Sequence, residues 1–166
     1  PILSPFIEES LKNNDTVSVM KNTFLVYLAW EDKDQIISIL NTIKSNQFIY
    51  YCSVDKEEQI DNVTLKPYSN KKFKMDLVAC NGLLTNAGFQ LPAEAIYLGK
   101  KILCKPLLGQ PEQEHNAKIL KKLQHATVCS KFTKENIELW IRYGKQKKEL
   151  YNLSLIHISE PTRRVF

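Results

Sequence analysis

The chain has 166 residues, a formal net charge of +5, 43% hydrophobic and 25% charged residues. With only 5 Gly and 7 Pro, these proportions exclude collagen-like, low-complexity and disordered classes and point to one globular domain with a core of its own. No apolar run of about 18 residues is present to span a membrane as a helix, and Pro1-Ile2-Leu3-Ser4-Pro5 lacks the basic start of a signal peptide, reading instead as a cut edge inside a longer protein.

In chain order, Thr23 to Trp30 (TFLVYLAW) is β-branched and aromatic, which predicts a buried strand. Asp32, with Gln35 three residues on, caps a helix whose apolar face is Ile36, Ile37, Leu40 and Ile43. Gln47 to Val54 predicts a second strand, and Asp61-Asn62 turns the chain into a short one, Val63 to Tyr68. Phe73 to Cys80 predicts a short helix with Phe73, Leu77 and Val78 inward. Leu83 to Asn86 is a strand ending at Ala87-Gly88, and Leu91 to Leu98 a helix with Pro92 in its first turn and Gly99 stopping it. Lys101 to Leu107 is a strand. Pro111 opens a helix with Ala117, Leu120 and Leu123 on its face; Thr127 to Lys131 is a last short strand, and Thr133 caps a helix carrying Ile137, Trp140 and Ile141.

Strands that alternate with helices and read as continuous apolar runs predict right-handed crossovers and a parallel sheet covered on both faces. The expected fold is α/β, a doubly wound Rossmann-like sheet of about six strands.

The four cysteines, Cys52, Cys80, Cys104 and Cys129, form no CxxC pair, and the three histidines are scattered. No zinc site is expected, and buried reduced thiols in a cytoplasmic protein are the default. Lysine runs at Lys71-Lys72 with Lys74, Lys100-Lys101, Lys121-Lys122 and Lys145 to Lys148 read as solvated faces. No basic-aromatic stripe is present, so nucleic acid is not an expected partner.

In such a sheet ligands bind beyond the carboxyl ends of the strands. Those places are Trp30-Glu31, Tyr68-Ser69, Asn86 to Gln90 and Leu107 to Gln113. Two carry unusual chemistry. In Thr85-Asn-Ala-Gly-Phe-Gln-Leu-Pro-Ala-Glu94 a strand stops, Gly88 permits a tight turn or a close ligand, and a helix starts with its free N–H groups and positive dipole end outward, a phosphate seat. Glu94, a turn further on, is placed to accept hydrogen bonds from ribose hydroxyls; its plain alternative is a charge that complements the helix dipole. In Pro106-Leu-Leu-Gly-Gln-Pro-Glu-Gln-Glu-His-Asn-Ala117 a second strand ends in a glycine loop, with Gln110, Glu112 and Gln113 at the opening as groups suited to sugar hydroxyls, and Asn116 a turn further in. A well-capped amphipathic helix is the plain alternative there.

Taken jointly, Asn86-Ala-Gly…Glu94…Gly99…Pro106…Glu112-Gln113…Asn116-Ala117 resembles the donor-binding stretch of nucleotide-sugar glycosyltransferases of the GT-B fold, above all bacterial family-1-like and UDP-glycosyltransferase-type enzymes. The resemblance implies a sugar transferred from a nucleoside diphosphate donor, UDP first among them, to an acceptor the sequence does not identify. It implies a donor site of Asn86, Ala87, Gly88, Phe89, Gln90, Leu91, Glu94, Gly109, Gln110, Glu112, Gln113 and Asn116. Asn86 to Phe89 would line the diphosphate, Glu94 would hold the ribose, Glu112 and Gln113 would contact the sugar, and Asn116 would brace that loop. Asn86 stands where relatives often carry His or Arg, so a charged phosphate contact is missing there. The general base and the acceptor site are implied for an N-terminal domain, with residues 1–19 as hinge and 20–152 as donor-binding domain. This part alone is expected to bind a donor without turning it over. No cofactor or metal is implied, and peripheral membrane association of the full-length enzyme stays open.

Three other readings compete: a nucleotide-sugar 2-epimerase, a non-catalytic nucleotide-binding module, and a flavodoxin-like or response-regulator domain, whose acid would have to be Glu31 or Asp32 and whose lysine, Lys105, falls before its strand's end. Finally, Leu153 to Arg163 (LSLIHISEPTR) resembles a translated sequencing-library adapter, so residues 153–166 are expected to be a non-native tail and carry no weight in the fold.

Overall fold

The computed structural model describes residues 18–145; the expected hinge up to residue 17 and the adapter-like tail lie outside them. Seven strands and five helices alternate within that range: β1 (Thr23–Tyr27), α1 (Lys33–Asn41), β2 (Gln47–Tyr51), β3 (Glu58–Ile60), β4 (Val63–Lys66), α2 (Asn70–Ala79), β5 (Gly82–Asn86), α3 (Gln90–Tyr97), β6 (Lys101–Lys105), α4 (Pro111–Lys122), β7 (Thr127–Val128) and α5 (Lys134–Tyr143).

All strands join one sheet in the order β3-β4-β2-β1-β5-β6-β7. Only β3 runs antiparallel, hairpinned onto β4 through Asp61-Asn62. The six parallel strands, renumbered without it, read 3-2-1-4-5-6, the order of dinucleotide-binding folds, whereas a flavodoxin-like sheet would read 2-1-3-4-5. That order removes the response-regulator reading. It also supplies a strand missed in the sequence: Glu58-Gln-Ile60 is three residues long, polar and exposed for two of them, and its pairing comes from the turn, not from apolar patterning.

The chain winds away from β1 in both directions, and the helices divide accordingly. One core layer, with Leu25, Leu83 and Cys104 from the sheet, takes Phe73 and Leu77 of α2, Ala93 and Ile96 of α3, and Ala117 and Leu120 of α4. The opposite layer takes Ile36, Ile37 and Leu40 of α1 and Ile137 and Trp140 of α5 against Phe24, Val26, Leu84 and Leu103. Strands buried on both faces explain the unbroken apolar runs.

Local signals act as read. The Asp32 side chain accepts from the Gln35 N–H at 2.9 Å and that of Thr133 from the Asn136 N–H at 3.1 Å. Gly99, at φ 70, closes α3 in the left-handed conformation. Lys100 and Lys101 depart from the solvated-face expectation, as does Lys74, which pairs with Glu94. Lys100 donates to the carbonyls of Val78 and Cys80, both at 2.7 Å, and Lys101 to that of Ile141 at 2.7 Å. Cations there satisfy the orphan carbonyls at the ends of α2 and α5.

The four cysteines are free. Burial pushes the Cys80 thiol up to about 11, Cys104 to about 12 and Cys129 to about 11, from an ordinary 9.0. A thiol held protonated in the folded chain contributes stability that is complete below the unfolded pKa and lost as pH climbs toward the folded one. Burial lowers Lys100, which works the other way, but the three thiols outnumber it. Stability is therefore expected to be level through neutral pH and to fall above about pH 9, as urea unfolding at stepped pH would read.

Candidate functional site

The strand order reverses at β1, which pairs with β2 on one side and β5 on the other. The crevice of a doubly wound sheet opens at this point, beyond the carboxyl ends. The two segments singled out in the sequence follow β5 and β6, which pair in parallel with Asn86 opposite Lys105. Both crossovers therefore leave the same sheet edge side by side, and α3 and α4 cover the same face.

A direct bond joins them. Asn116, buried in the second turn of α4, donates its Nδ2–H to the carbonyl of Ala87 at 3.2 Å. The bond braces the neighbouring loop, the one after β5. Gln113 accepts from the Leu107 N–H at 3.0 Å, folding the loop between β6 and α4 onto the helix start. Gly109 in that loop has φ +74 with open space around its Cβ position, so conformation and not crowding asks for glycine. Gly109→Ala is expected to cost about 1 kcal/mol in urea unfolding. Gln110, at the N-cap, and Glu112 are exposed on the rim, and His115 is a surface residue.

On the first segment, Ala87 is buried and Phe89 packs toward the core under the start of α3. Gly88 needs neither a left-handed backbone nor shelter from a neighbour: nothing lies within 4 Å of its Cβ position. The space above it is open to a ligand. Asn86 turns away from α3, donating to the Lys105 carbonyl at 3.2 Å and to Glu31 Oε1 at 3.3 Å. Glu31 in turn is clasped by the Lys105 ammonium at 2.7 and 2.9 Å. Lys105 is the last residue of β6 and reaches across to the loop after β1, contrary to its expected place short of the strand end.

Glu94 is 1% exposed, on the inner side of α3, and makes an ion pair with Lys74 of α2. Its other oxygen lies 3.5 Å from the Gln90 amide, at the outer limit of a hydrogen bond. A buried carboxylate needs such a counter-charge. The pair borders a cavity of about 220 Å³ lined by Tyr27, Tyr68, Asn70, Phe73, Lys74, Gln90, Leu91 and Glu94. Its aromatic wall is one cluster, with Tyr27–Phe73 at 5.5 Å, Tyr27–Tyr68 at 6.0 Å and Tyr68–Phe73 at 5.9 Å between ring centroids. Tyr68 is 60% exposed at the mouth.

The aromatic wall and Lys74 lie outside the site residues that the sequence motifs predict. In the sequence Tyr68 is marked only as a strand end, and Lys74 only as part of a lysine run. Its neighbours Lys71 and Lys72 are indeed exposed, and Lys74 alone faces inward. The signal available was its spacing: it follows Phe73 and precedes Leu77 by three residues, on the inner stripe of α2. No group of three metal-ligating side chains occurs among the described residues, and no described helix is long and apolar enough to cross a membrane.

A 3-2-1-4-5-6 parallel sheet with helices on both faces matches one Rossmann-like half of a GT-B glycosyltransferase. The model of glycosyl transferase family 1 matches residues 3–142, and the chain belongs to that family. No curated protein matches it. Among solved structures, the chain is similar to the glycotransferase of kitacinnamycin, with 14% identity and a TM-score of 0.62 over 87% of this chain and 40% of that one. It is similar to ALG13 in solution, with 10% identity and a TM-score of 0.59 over 84% of this chain and 94% of that one. It is also similar to Medicago truncatula UGT71G1 complexed with UDP-glucose, with 14% identity and a TM-score of 0.55 over 96% of this chain and 39% of that one. At these identities the likeness is one of fold. The chain spans 40% or less of the length of the kitacinnamycin and Medicago proteins.

Proposed function

We propose that this chain is the donor-binding domain of a glycosyltransferase that moves a sugar from a nucleoside diphosphate, UDP first among them, to an acceptor held by an N-terminal domain. The observation that carries the reading is the convergence of the two crossovers on one edge, bonded through Asn116 and Ala87, beside a cavity that has an aromatic wall and a carboxylate. Tyr27 and Tyr68 offer faces to a planar base. Glu94 is the acceptor for ribose hydroxyls, and the amides at the start of α3, above the open space at Gly88, take the diphosphate. Gln110, Glu112 and Gln113 are left for the sugar.

In this reading the N-terminus of α3 stabilises charge that develops on the departing diphosphate, with no metal required. Alignment of the acceptor hydroxyl with the anomeric carbon is an orientation effect supplied when the two domains close. The chain alone binds donor and does not turn it over. A cytoplasmic setting, in which the four thiols stay reduced, goes with the same reading.

Calorimetric titration of the chain with uridine, guanosine and thymidine diphosphates tests it. Binding of UDP, weakened at least about tenfold by Glu94→Gln, is the expected result. UDP binding that Glu94→Gln leaves unchanged would favour a nucleotide-binding module with a different site, and no binding of any diphosphate would remove the reading.

A further inference from the structure

Lys74 and Glu94 come from different helices and meet at the inner end of the aromatic cavity, both among its lining residues. Glu94 is acceptor only and Lys74 donor only, and they lie side by side. Lys74 engages one carboxylate oxygen, Oε2, and among the described residues the other, Oε1, has only the long contact to Gln90. The ammonium also lies 5.9 Å from the Phe73 ring, which ties it to the cavity wall. A hydroxyl donates one hydrogen bond and accepts others. A vicinal diol set against this pair could donate to Glu94 and accept from Lys74 together, whereas a deoxy sugar, short of one hydroxyl, makes fewer of those bonds and leaves the open Glu94 oxygen unsatisfied.

We propose that Lys74 is a specificity residue of this site: with Glu94 it forms a fixed donor–acceptor pair that selects a ribonucleotide over its 2′-deoxy analogue. The proposal rests on the donor-binding reading and adds to it a second residue, on α2, and a sugar preference. Lys74 has two tasks. It holds the Glu94 carboxylate in place at the cavity, and it donates to the hydroxyl that Glu94 accepts from.

The test compares UDP with 2′-deoxy-UDP on the full chain, by calorimetry, in the native sequence and in Lys74→Met. The native chain is expected to favour UDP by about tenfold, and Lys74→Met to shrink that ratio to about twofold or less through loss of UDP affinity. Because Lys74→Met leaves Glu94 buried without its partner, a second measurement uses the native chain. With lysine side chains labelled with nitrogen-15 and the Lys74 ammonium signal assigned from Lys74→Arg, UDP is expected to shift that signal and 2′-deoxy-UDP to shift it less. A folded Lys74→Met that keeps the native ratio overturns the proposal, as does a bound UDP that leaves the Lys74 signal in place. Equal binding of the two nucleotides by the native chain overturns this proposal alone and leaves the donor site standing; no binding of either overturns both.

Discussion

Glu94→Ala is expected to remove about 3 kcal/mol of folding stability, a large share of what a domain this size possesses. The carboxylate is 1% exposed, and its ion-pair partner Lys74 has an 11% exposed side chain, so little water reaches either group. Breaking such a pair by deleting one member strands the other charge, which costs far more than the pair itself contributes. Lys74 borders the cavity and can relax toward its mouth, which holds the loss to the lower end of the usual range. Joint replacement, Lys74→Met with Glu94→Gln, leaves no stranded charge and is expected to cost under about half as much. Urea unfolding of the single and double variants reads the difference. A double variant no more stable than Glu94→Ala would show that the charges contribute through separate contacts.

Trp140→Ala is expected to cost about 4 kcal/mol while leaving the nucleotide site unaltered in any chain that remains folded. Trp140 is 2% exposed on α5 and packs its ring 5.1 Å from that of Phe24. Its ring edge occupies the space that a Cβ on Gly82 would need, 3.0 Å away, and its own backbone and ring crowd Gly144 in the same manner. Truncation there removes a large buried ring and leaves a cavity that the surrounding side chains fill only in part. Because Trp140 belongs to the α1 and α5 layer, the loss falls on the face opposite α3 and α4. Thermal unfolding and UDP titration together separate the two effects. Loss of UDP affinity in a folded Trp140→Ala chain would mean that the two faces are coupled through the sheet.

The contrast between these two residues shows what could be read from the chain in advance. Trp140 lies on an apolar helical stripe with Ile137 and Ile141, and such a stripe declares its buried face. The parallel sheet was legible for the same reason: strands buried on both sides carry no polar alternation. The ends of the strands were less legible. Trp30, expected at the end of a strand, is instead 76% exposed in the turn after β1, since apolar character alone does not say where pairing stops. β3 was invisible because its pairing depends on a turn.

At the site, Gly109 and the two helix starts were legible as local motifs, since glycine, proline and acidic first turns act within a few residues. Which side chains meet across crossovers was not. Asn116 reaches Ala87 over 29 residues of chain and Lys74 reaches Glu94 over 20. Lys105 spans 74 residues to Glu31. Contacts of that separation depend on sheet order, and no pattern within one helix records them. Lys74 and Lys100, read as solvent-facing, are held inward by a carboxylate and by helix-end carbonyls that become visible only once the layers are stacked.

The most direct measurement is a nitrogen-15 amide spectrum of the chain recorded with increasing UDP. The account predicts that the signals that move belong to one patch, Gly88 to Leu91 together with Gly109 to Gln113 and the residues around Tyr68, with the α1 and α5 face silent. Movement confined to one of the two crossovers, or centred on the far face, would contradict it.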